Sequence, residues 1–304
     1  MYVLKRLIGL PLLLLLISAL AFALVRVAPG GPFDRERAPA SPDIERQVRA
    51  KYHLDEPLWK QYARFVGDLV QGDFGVSLKY RNHSVNDIIA QGLPVSMTLG
   101  ALAFVLALGV GIPLGYWTAA RNGHWDAHAA GLFSLVLVCV PAFVVAPLLI
   151  LVFGIWLKLF PVALWGTPSQ AVLPVVALGL YFAGRVARLM QEGMLSTMNA
   201  EFLMAARARG FSEHTVLLKH GLRLAILPVV SYSGPLLADL LTGAFVVENI
   251  FQIPGLGTLL VNGSLNRDYT LVVGLVMLYA VLLAVLNLLV DVAYVILDPR
   301  VRYG

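Results

Sequence analysis

The stretch EFLMAARARGFSEHTVLLKHGLRLAILP, residues 201–228, decides how this chain is read. Asn199 stands where it can cap a helix over 200–209, and Gly210 is the natural stop, because glycine tolerates the left-handed conformation that ends helices. Ser212 can cap a second helix, with Glu213 in its first turn, where a negative charge suits the helix dipole. The pattern is helix, glycine break, helix, set between two long apolar runs. In the first helix Ala205, Ala206 and Ala208 leave little bulk, while Phe202, Leu203 and Ala206 share a face at three- and four-residue spacing. Small residues beside an apolar anchor suit insertion into a groove on another protein. They equally suit a helix lying on a lipid surface, with Arg207, Arg209 and Lys219 meeting anionic headgroups.

Working outward, the 304 residues are 59% hydrophobic and only 13% charged, a composition of integral membrane proteins rather than soluble domains. A crossing helix needs about 20 mostly apolar residues. Six stretches qualify, at 7–27, 97–119, 129–157, 171–190, 224–247 and 270–297. The fourth reaches membrane length only if Arg185 and Arg188 snorkel at its end. The third is over-long and carries Pro141 and Pro147, which point to one kinked or tilted helix. The first has the basic start and small-residue tail of a signal peptide, but its length, with Arg26 and the PGGP turn after it, favours a retained helix. The single cysteine, Cys139, falls inside the third span, which excludes an intrachain disulfide and favours a buried thiol.

Lys and Arg counts in the short loops give an orientation. With the N-terminus inside, eleven bases lie on the inner side (Lys5, Arg6, Arg121, Arg185, Arg188, Arg207, Arg209, Lys219, Arg223, Arg300 and Arg302) against Lys158 and Arg267 outside. A basic inner face is general to inner-membrane proteins and is no sign of nucleic-acid binding. The long loop after the first span carries nine bases and nine acids and has no vote. It has helical punctuation: Ser41-Pro42 followed by Ile44, Val48 and Tyr52, then a helix over 56–71 with Leu58, Tyr62, Phe65 and Leu69 on one face, stopping at the glycines of GDFG. Ser84 with Asp87 has the spacing of a capping box opening the second span. Between spans five and six, Pro254-Gly255 and Gly257 suggest a short dip or hairpin.

These residues resemble the ABC importer permeases. Their inner loop has the general form E-A-A, three residues, G, nine residues, I, any residue, L-P, and AARARG with Leu227-Pro228 matches its skeleton. Met204 stands in place of the glutamate, and seventeen residues separate Gly210 from Pro228 where the general form has twelve. The longer spacing is similar to the branch importing dipeptides, oligopeptides and nickel. The likeness continues in LKRL, RVAPGGPF, KYHLDEP, QGDFGVS, PGLGTLLVNGSLNRDY and VDVAYVILDPRVRY, and GDFGVSLKYRNHSVNDI looks closest to the B-type permease of oligopeptide importers.

The resemblance implies an all-α integral membrane protein of the type I importer permease kind, with six transmembrane helices, a small helical outer loop domain and a cytoplasmic coupling helix. Its parts would be an N-terminal helix over 1–28, a periplasmic loop over 29–96, and a five-helix core over 97–304 that includes the coupling loop 191–223 and a periplasmic loop 248–269. It places Ala205, Ala206, Arg207, Gly210 and Phe211 where the permease docks on a cytoplasmic ATPase. Implied partners are a second, related permease, two ATPase subunits, and a periplasmic or lipid-anchored peptide-binding protein, within a bacterial inner membrane. No G-x-x-x-x-G-K-[ST] phosphate loop occurs, so ATP and magnesium belong to the partners, and no cofactor, metal or catalytic residue is expected on this chain.

Asp239 in the fifth span, with Glu248 and Asn249 at its end, are the candidate pathway residues; Asn287 and Asp291 lie in the sixth span. An intramembrane carboxylate faces a bundle interior, a partner or water, and Asp239 fits either a pathway lining that meets a cationic end of a peptide or a structural pair. Two rivals remain. A membrane enzyme is disfavoured by the lack of HExxH and GxSxG motifs and by six histidines that all fall in loops or at helix ends (His53, His83, His124, His128, His214 and His220). An ion-driven carrier or channel would use the same carboxylates for coupling ions.

Overall fold

A computed structural model of the chain describes residues 2–27, 55–80 and 83–297, with side chains placed over 9–24, 55–80, 83–241 and 244–289. In chain order the helices are α1 (Tyr2–Val27), α2 (Leu58–Val70), α3 (Val85–Ala120), α4 (Trp125–Cys139), α5 (Ala142–Leu149) running on as a π-helical stretch Ile150–Trp156, α6 (Pro168–Thr197), α7 (Glu201–Ala208), α8 (Glu213–Thr215) leading into a second π-helical stretch Val216–Gly221, α9 (Leu222–Ala225), α10 (Leu227–Gly243), α11 (Phe245–Ile250), α12 (Leu256–Leu265) and α13 (Tyr269–Leu297). Among the described residues the only bridge between extended segments is the isolated pair Val76 and Ser84. The all-α reading holds. The helix expected behind Ser41-Pro42 lies outside the described residues, as do His53, Arg300, Arg302 and the Asp291 side chain.

Four helical runs are long and apolar enough to cross a membrane by themselves: Val85–Ala120, Pro168–Thr197, Leu227–Ile250 and Tyr269–Leu289. Trp125–Cys139 and Ala142–Trp156 qualify only as a pair, and they are bent by 101°. Helix α4 has 15 residues, and a helix of that length spans about 22 Å, short of the roughly 30 Å hydrocarbon core. Helix α1 runs over 26 residues, of which Gly9–Leu24 carry described side chains and form an apolar stretch. Length and composition therefore support four or five crossings among the described residues, where the sequence pointed to six.

A 101° break stands where one kinked or tilted helix was expected for the third span. Pro141 has no N–H to continue the helix and forces the residue before it out of the helical region. Val140 accordingly takes φ −92° and ψ 113°, and Pro141 φ −61° and ψ 146°. Pro147, by contrast, is carried within α5. Cys139, expected to be buried, ends α4 beside this break and is exposed.

The described chain divides into two compact units, one of residues 1–94 and 255–285, the other of 95–254 and 286–302. In the first, α2 lies on α1: the Tyr62 hydroxyl hydrogen-bonds Ser18 Oγ at 2.9 Å and donates to the Leu15 carbonyl at 3.1 Å, and Phe22 packs edge-on to Tyr62 and stacks on Phe65. Leu69 joins the same cluster, whereas Leu58 at the head of the expected face is exposed. The helix ends at Gly72, in a left-handed conformation at φ 77°. Ser84 and Asp87 form the expected reciprocal cap: the Asp87 N–H donates to Ser84 Oγ at 3.1 Å, and the Ser84 N–H to Asp87 Oδ2 at 3.2 Å. The expected dip is a helical hairpin of α12 and α13, turning at Arg267 with φ 57°. Buried Asp268 ties that turn to residues 77–79, accepting from Ser77 Oγ, from Leu78 N at 3.1 Å and Lys79 N at 3.4 Å, and it caps α13 through Leu271 N at 3.2 Å.

The second unit is built around α6. Thr167 and Gln170 form a capping box that opens it, with Pro168 in its first turn. Gly111 and Gly115 of α3 face Val186, Ala187 and Met190 of α6 so closely that a methyl group on either glycine would overlap them, and Gly184 meets the Ser134 carbonyl of α4 in the same way. Small residues let helix backbones approach where lipid supplies no hydrophobic drive. Helix α6 runs on to Thr197, so Arg185 and Arg188 lie within the helix rather than at its end.

Candidate functional site

The first candidate region is the loop 198–221. Helix α6 ends so near α7 that the Ala200 N–H bonds the Thr197 carbonyl at 2.9 Å, and Ala200, not Asn199, takes the N-cap position, with no side-chain cap. Asn199 is corrected to a turn residue. Gly210 stops the helix as expected, at φ 80°, with its N–H donating to the Arg207 carbonyl at 2.9 Å. Ser212 caps α8 through Thr215 N at 3.4 Å.

Arg207 closes the turn. Its Nε and Nη2 donate to the two Glu213 carboxylate oxygens at 3.0 and 2.8 Å, and Nη1 reaches the Met198 carbonyl at 3.1 Å. These hydrogen bonds hold the Glu213 carboxyl below its ordinary value, and Glu213 in turn raises Arg207. Leu203 and Ala206 pack inward on Val216, while Phe202, Met204 and Phe211 are 41, 52 and 48% exposed. Phe202 therefore does not share the face expected of it, and Ala206 is covered within the chain. The outward surface combines those three apolar side chains with exposed Ala205, Ala208 and Gly210.

Behind the loop, Gly193 of α6 abuts the last residue of α9, and a methyl group there would overlap the Ala225 carbonyl. No slack separates the loop's return strand of chain from α6.

The second region is a polar face on α6 and α10. Tyr181, Arg185, Arg188, Glu192 and Ser196 recur at three- and four-residue spacing on α6, with Arg188, Glu192 and Ser196 exposed and the first two half-buried. Arg185 Nη2 donates to the Tyr181 hydroxyl at 2.7 Å and Nη1 to the Tyr232 hydroxyl of α10 at 3.5 Å, and the guanidinium lies 5.0 Å from the Tyr181 ring centre. Asp239, two turns beyond Tyr232, is exposed and acts electrostatically on Arg185. Asn249 is exposed, whereas Glu248 is only 1% exposed and accepts from Ser96 Oγ at 2.7 Å. Sequence reading missed Arg185, although Tyr181 at i−4 was a usable signal. Among the described residues no group of histidine, cysteine and carboxylate side chains is arranged to hold a metal ion.

Two family models cover the chain: "Binding-protein-dependent transport system inner membrane component" over residues 111–303, and its N-terminal companion over 1–100. The chain belongs to this permease family. It is 43% identical to the oligopeptide transport system permease protein OppB of Haemophilus influenzae and 41% to that of Escherichia coli K12, with 99% of each chain covered. It is 38% identical to the dipeptide permease DppB of Bacillus subtilis, covering 99% of this permease and 97% of that one. Among solved structures it is similar to the inward-facing MetNI methionine ABC transporter, with a TM-score of 0.60 at 15% identity over 69% of this permease and 96% of that chain, a likeness of fold. The motif resemblance thus holds over the full length, and the permease is a multi-pass inner-membrane component of a binding-protein-dependent transport system.

Proposed function

We propose that this permease is half of the membrane pathway of an ATP-driven importer of short peptides, and that α7 is its coupling helix. The observation that carries the reading is the end-to-end similarity to oligopeptide and dipeptide permeases. The loop geometry supports it: a self-closed turn with apolar residues outward is suited to a groove on a protein, and Ala205, Gly210 and Phe211 would be contact residues there. Arg207 would keep the loop in shape rather than reach the partner, and Ala206 would let Val216 pack beneath the docking surface. ATP and magnesium would be bound by two cytoplasmic ATPase subunits. A second, related permease would complete the pathway, with a periplasmic or lipid-anchored binding protein delivering cargo. In this reading both termini and the 191–223 loop are cytoplasmic, the 29–96 and 248–269 segments face outward, and the 97–304 region is the core. Asp239 and Asn249 of this chain would face the pathway, and Glu248 would support them from within.

The test is to purify the tagged chain from bacterial membranes in mild detergent, identify what accompanies it in fixed ratio, and reconstitute the assembly with labelled peptides. A second permease, ATPases with phosphate loops, and ATP-dependent peptide uptake are expected. Uptake that survives ATP depletion and collapses with an ion gradient would overturn the reading in favour of a carrier. Uptake of nickel, or of peptide antibiotics alone, would overturn the cargo.

A further inference from the structure

A cationic side chain stands on a membrane helix of this permease without a carboxylate bonded to it. Arg185 lies within α6, with about three helical turns still to follow. Two of its five N–H donors go to tyrosine hydroxyls, on its own helix and on α10. Those hydroxyls are neutral acceptors: they orient the guanidinium plane and supply no formal counter-charge. Asp239 is close enough to act on that charge, yet among the described residues no ion pair joins the two.

The surroundings do not suit lipid. Arg188 and Glu192 continue the α6 stripe, and Ser231 and Asp239 are exposed on α10. Ionisable groups at membrane depth face a partner, a bundle interior or water. Away from the stripe α6 is apolar and buried, with Val186, Met190 and Met194, and on α10 the buried Val229, Leu236 and Leu240 adjoin half-buried Tyr232. The polar stripe of α6 is thus the side turned away from this unit's own core. A planar guanidinium fixed by two hydroxyls, with donors to spare, matches the two oxygens of a carboxylate.

We propose that Arg185, held by Tyr181 and Tyr232, is a transient binding station for the free C-terminal carboxylate of peptide cargo. The proposal rests on the peptide-importer reading. The α-carboxylate is common to all unmodified peptides, so one fixed guanidinium serves cargo of varied side chains. Asp239 moderates the site: its nearby negative charge weakens the hold of Arg185 on any anion, so cargo does not stall. No covalent step is involved.

The test uses the complete assembly in proteoliposomes, with trialanine and its C-terminal amide as probes and the same binding protein throughout. The readout is the ratio of acid to amide uptake, which cancels changes in expression and assembly. In Arg185→Gln this ratio falls by about tenfold, as expected for one lost charge-assisted contact. Arg185→Lys, with the charge but not the fork, falls by about threefold. Should Arg185→Gln fail to assemble, Tyr232→Phe removes only a supporting hydroxyl and lowers the ratio by about threefold. An unchanged ratio, however far both rates fall, assigns Arg185 to packing or to the second permease and overturns the proposal. If the wild-type assembly moves neither probe in the presence of ATP, the importer reading itself fails, a result separate from an unchanged ratio.

Discussion

Two loops of this permease are closed by charged side chains in opposite ways. Residues 77–79 are held by Asp268, which is 1% exposed and accepts from a hydroxyl and two backbone N–H groups before capping α13 with a third. Residues 207–213 are held by the Arg207–Glu213 pair, whose side chains are 34 and 55% exposed. A buried carboxylate stripped of its bonds leaves several donors unsatisfied. An exposed pair is replaced by water at little cost. The first closure is costly to break; the second is a shape held lightly, which would suit the proposed coupling loop.

The contrast breaks most readily at Asp268. Asp268→Ala is expected to cost at least about 3 kcal/mol, because buried N–H groups lose a charged acceptor. Thermal unfolding in detergent should show the loss, with Asp268→Asn recovering part of it. A variant as stable as wild type would show that the buried closure is no stiffer than the exposed one. Next comes Gly193→Ala, which drives a methyl group into the Ala225 carbonyl. About 2 kcal/mol of overpacking is expected, and peptide-stimulated ATP hydrolysis by the assembly should fall further than stability does, because the α6 to α9 contact shifts. Equal falls would mean that the contact only holds the fold.

Several local features were legible in the sequence because their partners lie within a few residues. The Ser84 and Asp87 cap, the Gly210 stop and the Ser212 cap all depend on groups within one helical turn. Spacing also related Leu203 to Ala206, but could not say which face turned inward; that is decided by Val216, beyond the glycine. Asn199 failed as a cap because α6 runs to within a few residues of α7. The hydrogen bond of Arg185 to Tyr232 was not legible because that hydroxyl belongs to another helix, and Asp268 went unnoticed because its main partners are about 190 residues away. Proline marked the third span as irregular, but the depth of the bend follows from Val140 and Pro141 both leaving the helix together.

Gly210 tests the lightly held loop on its own terms. A methyl group at Gly210 meets nothing within 4 Å, so Gly210→Ala alters only the cost of φ 80°. That cost is about 1 kcal/mol. A small stability change with a several-fold loss of ATP-coupled uptake is expected, and Gly210→Asp should lose more, since an acid at a helix C-terminus opposes the dipole. Coupling unchanged in both would place the docking surface elsewhere.

The smallest effect belongs to the pair that closes the loop, and its pH dependence separates it from the rest. Glu213 has its folded value lowered from 4.5 by hydrogen bonds from Arg207. A lowered carboxylate stabilises the folded state above its unfolded value, and this contribution is lost as pH falls through the folded value. Glu213→Ala should therefore cost about 0.5 kcal/mol or less at pH 7, the same at pH 6, and nothing once the carboxylate of the wild type is protonated. Unfolding midpoints for wild type and variant, measured at neutral pH and in acid, should converge from a small gap. Added salt should close the same gap at neutral pH, because an exposed pair is screened. A gap as wide as that of Asp268→Ala, or one indifferent to salt, would make the 207–213 closure as rigid as the 77–79 one. Movement of α7 would then have to come from the whole of α6 to α9 swinging as one body rather than from the turn itself.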